Sequence, residues 1–188
     1  MFYHASQIGK IDILKPSISK HKKSYVYFSE KRENVLVYLS NAIQKFCIET
    51  GFKHEGKYTP WGPYSFGKDG ILELEEYYPN ALYETYKGCS GYIYSVKKIN
   101  NPEKINDIPF VFASSKEVKV DSVEYIEDAY EEIIKTSKEG KIRIVKFEEL
   151  SENKLKWLKE IIKKEYEDVE SGEDYKYFLE NKFDFLKQ

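Results

Sequence analysis

The spacing of apolar positions along this chain changes several times, and each change marks an element. Phe2-Tyr3-His4-Ala5-Ser6 and Tyr25-Val26-Tyr27-Phe28-Ser29 are dense aromatic and β-branched runs. Both are too short for helices and predict strands. Between them Pro16 stops regular structure, and residues 17–24, with Lys20-His21-Lys22-Lys23, read as an exposed basic loop. The period then lengthens. Val35, Leu39, Ala42, Ile43, Phe46 and Cys47 fall at helical spacing, predicting one amphipathic helix capped by Ser29 and ended near Gly51.

From Phe52 to Tyr78 the pattern is irregular. Tyr58-Thr59-Pro60-Trp61-Gly62-Pro63-Tyr64-Ser65-Phe66-Gly67 cannot form a regular element, because its prolines and glycines break any ladder. Lys68-Asp69-Gly70 is a turn signal that predicts a hairpin between Tyr64–Phe66 and Ile71–Leu74. A short helix follows Pro79-Asn80 and closes at Gly88. Strands are predicted over Gly91–Val96, Phe110–Ser114, Glu117–Val120 and Lys141–Phe147, with a helix through Ile126, Tyr130, Ile133 and Ile134 before the last of them. Ser151 caps a helix with Leu155, Leu158, Ile162 and Val169 inward, Ser171-Gly172 breaks it, and a final aromatic-rich helix runs to about Leu186. No regular β-α-β rhythm appears, so the fold class is α+β.

Composition narrows the function. The chain has 188 residues, one domain's worth, and 17 tyrosines lift its aromatic fraction to 16%. Tyrosine pairs an apolar body with a hydroxyl that needs a partner, which suits amphipathic clefts. A net charge of −2 gives no electrostatic case for nucleic acid. No apolar run reaches membrane-spanning length and no leader is visible, so a cytoplasmic protein without a membrane partner is expected. Cys47 and Cys89 are too few for a disulfide framework, and His21 and His54 lack ligand spacing, so no metal site is expected. Arg32 and Arg143 are the only arginines.

The order of the early strands resembles the ADP-ribosyltransferase fold, in particular the small bacterial rifampin ADP-ribosyltransferases. Tyr3-His4-Ala5-Ser6 is similar to that family's first strand, and Tyr25-Val26-Tyr27-Phe28-Ser29 to its second. Gly91-Tyr92-Ile93-Tyr94-Ser95-Val96 is similar to its glycine-led central strand, and Lys116 to Val120, with Glu127-Asp128 later, to its C-terminal sheet. The similarity spans most of residues 1–130, with 52–76 as an aromatic insertion.

The resemblance implies a split β-sheet core in a domain of residues 1–147, followed by a helical extension over 148–188. It implies NAD as substrate and ADP-ribose transfer to a small-molecule or protein acceptor. His4, Ser6, Tyr27 and Ser29 are then the NAD-binding residues, and Glu117 the catalytic acid. Tyr58, Trp61 and Tyr64 are the expected acceptor wall. Cleavage of the glycosidic bond of NAD passes through an oxocarbenium-like ribose, which a carboxylate stabilises.

Two departures weigh against catalysis: Ala5 stands where the family has glycine, and Asn100-Asn101-Pro102-Glu103 lacks the family's acidic pair. A non-catalytic binding module on the same scaffold is therefore the alternative. RNA 2′-phosphotransferase, a same-fold rival, needs several arginines for its phosphates, and this chain has two.

Overall fold

The structure is a computed structural model that describes residues 1–18, 23–170 and 173–187. The basic run at 20–22 and the helix break expected at Ser171-Gly172 lie outside the described residues. The chain opens with β1 (Phe2–Ser6), β2 (Ile13–Leu14), β3 (Ser17–Ile18) and β4 (Ser24–Ser29). A 3-10 helix, Arg32–Tyr38, leads to α1 (Ala42–Thr50). β5 (Ser65–Phe66), β6 (Leu72–Glu75), α2 (Ala81–Tyr86), β7 (Gly91–Val96), β8 (Glu103–Lys104) and β9 (Val111–Ser114) follow. After β10 (Val118–Lys119) and β11 (Ser122–Ile126) come α3 (Ala129–Lys138), β12 (Ile142–Val145), α4 (Glu152–Asp168) and α5 (Asp174–Lys182).

The fold is α+β. Its main sheet runs β11-β7-β1-β4-β9-β8, with β3 added to β4, and every pairing in it is antiparallel. Two halves meet at its centre. β1 pairs with β7 over five residues but with β4 at one position only, Tyr3 opposite Ser29. The β1–β4 pairing is the shortest in the sheet. A smaller sheet, β12-β6-β5, holds the parallel pairing of β12 on β6, and β2 pairs with β10 separately. The hairpin turn at Lys68-Asp69-Gly70 forms as the turn chemistry predicts: Asp69 Oδ1 accepts from the Ile71 amide at 3.1 Å and Gly70 takes φ +73°.

Three expectations change. Ser17–Ile18, expected as loop, forms a strand on Tyr25 and Ser24. Ile126, expected in the helix of α3, ends β11; Asp128 caps α3, accepting from the amides of Tyr130 and Glu131. The single helix expected from Val35 to Gly51 is two. Asn34, Val35, Leu36 and Val37 are all buried in the 3-10 stretch, and four consecutive buried residues need contacts on every side. At the break, Ser40 Oγ donates to the Trp61 carbonyl at 2.5 Å and Cys89 Sγ donates to Asn41 Oδ1 at 2.8 Å. Leu39 fills the space above Gly91, where a Cβ would approach its Cδ2 to 2.5 Å. Tertiary contacts override the local period here.

Packing joins the C-terminal helices to the middle of the chain. Ser151 Oγ accepts from the Lys154 amide and caps α4 as expected. Leu158, Ile162, Phe178, Leu179 and Phe183 form one core with Ala42, Ile43, Cys47, Trp61 and Tyr78. Buried Asp174, at the start of α5, accepts from Thr59 twice, at the amide (2.6 Å) and the hydroxyl (3.0 Å). Residues 52–76, expected as an insertion on an otherwise complete domain, therefore bridge the extension to the rest. No helix among the described residues is long and apolar enough to cross a membrane.

Candidate functional site

At the short β1–β4 seam a side chain adds a further link, and that side chain is His4. Its Nδ1 lies 2.9 Å from the Tyr27 carbonyl oxygen. A carbonyl only accepts, so Nδ1 carries the hydrogen and the neutral ring keeps Nε2 as an acceptor. Burial holds the His4 pKa below its ordinary value of 6.5, opposed by the bond to Tyr27, so the imidazole is neutral at pH 7. The ring also tilts against Phe28, at 6.0 Å between centroids.

Below this junction is a cavity of about 190 Å³. One side is the sheet: His4 and Ala5 from β1, Tyr27 and Ser29 from β4, and Val111 from β9. Asn34, Val35 and Tyr38 of the 3-10 helix form the floor. Tyr64 and Phe66 close it, with Tyr64 edge-on to both Tyr38 and Phe66 and its hydroxyl 3.1 Å from that of Tyr38. Ile108 completes the rim. Among the described residues, no carboxylate, lysine or arginine lines it. Ligand sites for drug-sized molecules run to about 300–1,000 Å³, whereas a cavity of about 150 Å³ can hold a benzene ring. This one suits a single planar ring.

Arg32 fixes the floor. Its guanidinium makes a bidentate contact to Glu124 on β11, at 2.8 and 2.6 Å, and reaches Glu132 on α3 at 2.8 Å. Arg143 is held by Asp69 and Glu73 in the small sheet. Both arginines are thus engaged in ion pairs away from the cavity.

The structure brings together only part of the expected site. His4, Tyr27, Ser29 and Tyr64 line one cavity. Ser29 Oγ additionally accepts from the Lys31 amide at 3.1 Å, although the cap position itself is Lys31. Ser6 does not line it; its hydroxyl accepts from the Ile8 amide at the end of β1. Glu117 is a correction. β9 has Val111 at the cavity end and Ser114 at the other, about 10 Å on at ~3.4 Å per residue. After Ser114 the chain leaves the main sheet so that β10 can pair with β2. Glu117 therefore lies beyond the far end of β9, exposed and paired with Lys15 at 3.6 Å. Tyr58 and Trp61 are corrections too. Trp61 is buried among Tyr77, Tyr175, Phe178 and Phe183, and Tyr58 packs at a tilt against His54 beside that core.

Asn34, Tyr38, Phe66, Ile108 and Val111 belong to the site without having been expected there. The sequence did carry one trace of Asn34: it directly precedes the apolar run Val35-Leu36-Val37.

The chain matches no protein-family model, no curated protein and no solved structure.

The lowered His4 pKa has a measurable consequence. The unfolded chain binds a proton at His4 near 6.5, and the folded chain binds it only at lower pH. Stability contributed by neutral His4 is thus complete above 6.5 and declines as pH falls from there toward the folded value. His4→Gln should show a smaller drop in unfolding midpoint than wild type between about pH 7.5 and about pH 5. Equal drops in paired thermal melts would contradict the burial of a neutral ring.

Proposed function

We propose that the chain is an ADP-ribosyltransferase-like protein whose cavity at the β1–β4 seam binds the nicotinamide ring of NAD and does not cleave it. The observation that carries this reading is the meeting of His4, Tyr27 and Ser29 in a neutral cavity one ring in size, with no carboxylate in its wall. They are three of the four residues that the resemblance nominates for NAD, Ser6 being the fourth, and they arrive from two strands, with His4 23 residues before Tyr27. Tyrosine faces suit a flat ring, and a cationic one such as the nicotinamide of NAD is further attracted to them by the ring quadrupole. The ribose and adenosine portions would lie outside the cavity. Cleavage is a different matter, because an oxocarbenium-like ribose needs a negative charge beside it. Glu117 stands beyond the far end of β9, so the expected acid is not supplied.

A second reading, transferase activity toward an acceptor, is favoured by one observation. Glu103 accepts from the Tyr25 hydroxyl at 2.6 Å, and the Tyr25 ring packs edge-on against Tyr27 at 5.9 Å. Glu103 stands on β8 opposite Ala113, the β9 residue that pairs with Tyr27. Incubation with NAD followed by chromatography separates the two. Intact NAD after prolonged incubation is the expected result. Release of nicotinamide that disappears in Glu103→Gln, and persists in Glu117→Gln, would instead make the protein a transferase with Glu103 as its acid.

A further inference from the structure

The main sheet ends differently on its two sides. β8 is two residues long and both, Glu103 and Lys104, are charged, which is a common way of blunting a sheet edge against further pairing. β11 is far less protected. It is five residues long, pairs on one side with β7, and has no strand on its other side among the described residues. It contains neither lysine nor proline, and Val123 and Tyr125, on one face of it, are 57% and 56% exposed. Glu124, on the opposite face, is neutralised by Arg32, which also holds Glu132 of α3.

An open cleft of about 640 Å³ runs beside this edge, walled by the end of β11, the turn after it and α3. Its charge is lopsided: five carboxylates from Glu124 to Glu132 line it against two lysines, Lys87 and Lys135. Lys87 pairs with Asp128 and Glu131, whereas Glu127 has no ion partner among the described residues. A second copy of the chain paired along β11 would bring two such acidic clefts together, so the charge selects a basic occupant.

We infer that β11 is a docking edge for an extended basic segment of a partner protein, which adds a strand to the sheet. The segment's backbone continues the open ladder, and its side chains alternate across the new strand. One set is apolar and reaches Val123 and Tyr125. The other lies on the α3 side, where lysine or arginine meets Glu127 and its neighbours. The cavity at the β1–β4 seam takes no part, so this inference is independent of the ring-binding reading.

Four labelled octapeptides test it by fluorescence anisotropy: alternating lysine and valine, a block arrangement of the same residues, alternating glutamate and valine, and the first peptide with every backbone nitrogen methylated. The alternating lysine peptide should bind wild type, lose affinity as salt is raised, and slow hydrogen exchange at the outward amides of Ser122–Ile126. The other three should bind at least about tenfold more weakly, and the double variant Glu127→Lys, Glu131→Lys should weaken the first peptide by a similar factor. Equal binding of the methylated or block peptide to wild type would reduce the contact to charge attraction and overturn strand addition, whether or not the variant folds. Equal binding of the glutamate peptide, or undiminished binding to the folded double variant, would overturn the basic occupant. A wild-type dimer in sedimentation that dissociates in Val123→Lys would give the edge to a second copy instead. Failure of the alternating lysine peptide to bind wild type would overturn the inference outright.

Discussion

Trp61→Ala will destabilise the protein by about 3–5 kcal/mol, the range for emptying a buried aromatic site. Trp61 is 8% exposed and touches Tyr77, Tyr175, Phe178 and Phe183 within 6.3 Å between centroids. Its carbonyl also accepts from Ser40 Oγ at the break between the 3-10 helix and α1. The loss therefore falls at the point where the C-terminal helices, α1 and the irregular segment meet. Denaturant unfolding of the purified variant checks the magnitude. A near wild-type midpoint combined with lost ligand binding would restore Trp61 to an exposed acceptor wall and contradict its place in the core.

That tryptophan illustrates what a sequence can and cannot tell. Tyr58-Thr59-Pro60-Trp61-Gly62-Pro63 announces an irregular segment through its proline and glycine content, and the segment is irregular. Which surface it lies on depends on Asp174, more than a hundred residues away, whose carboxylate holds Thr59. No local pattern contains that pairing. By contrast β7 appears over the expected Gly91–Val96, because its alternation is fixed by neighbours on both sides of it in the sheet. The Ser151 cap and the turn at Asp69-Gly70 were legible for a similar reason: the chemistry that forms them is confined to a few adjacent residues.

The candidate site divides along the same line. His4 and Tyr27 stand out as polar groups inside aromatic strands, and the β1–β4 seam brings them together through the bond from the imidazole to the Tyr27 carbonyl. Glu117 looked suitable because it opens a strand, yet that strand pairs with β2 and not with the main sheet. Strand partners are a non-local property, so a residue's place along the sequence does not reveal which sheet it serves. Asn34 was hidden by the opposite error. A helical period counts it as a polar position on the outer face, whereas the 3-10 geometry buries it with the three residues that follow.

Filling the cavity should have the largest effect on binding. Val111 lines it from β9, 7% exposed, and Val111→Phe places a ring where a ligand ring would sit. Phenylalanine suits a strand, and the cavity offers room that a close-packed core does not, so the usual overpacking cost of about 1–3 kcal/mol is largely avoided. Ligand affinity should fall more than about tenfold while the unfolding midpoint stays level or rises, as cavity-filling substitutions commonly produce. Competition titrations and melts on the same preparation read both quantities. Undiminished binding in a folded variant would show that the ligand sits elsewhere.

Calorimetric titration of nicotinamide into the wild-type protein tests the central claim most directly. The neutral ring matches the cavity's size and its uncharged lining. One ring should bind per chain, with micromolar to millimolar affinity appropriate to so small a ligand, and the same titration into Val111→Phe should give only heats of dilution. Absence of binding to the wild type, or equal binding to both proteins, would contradict the account.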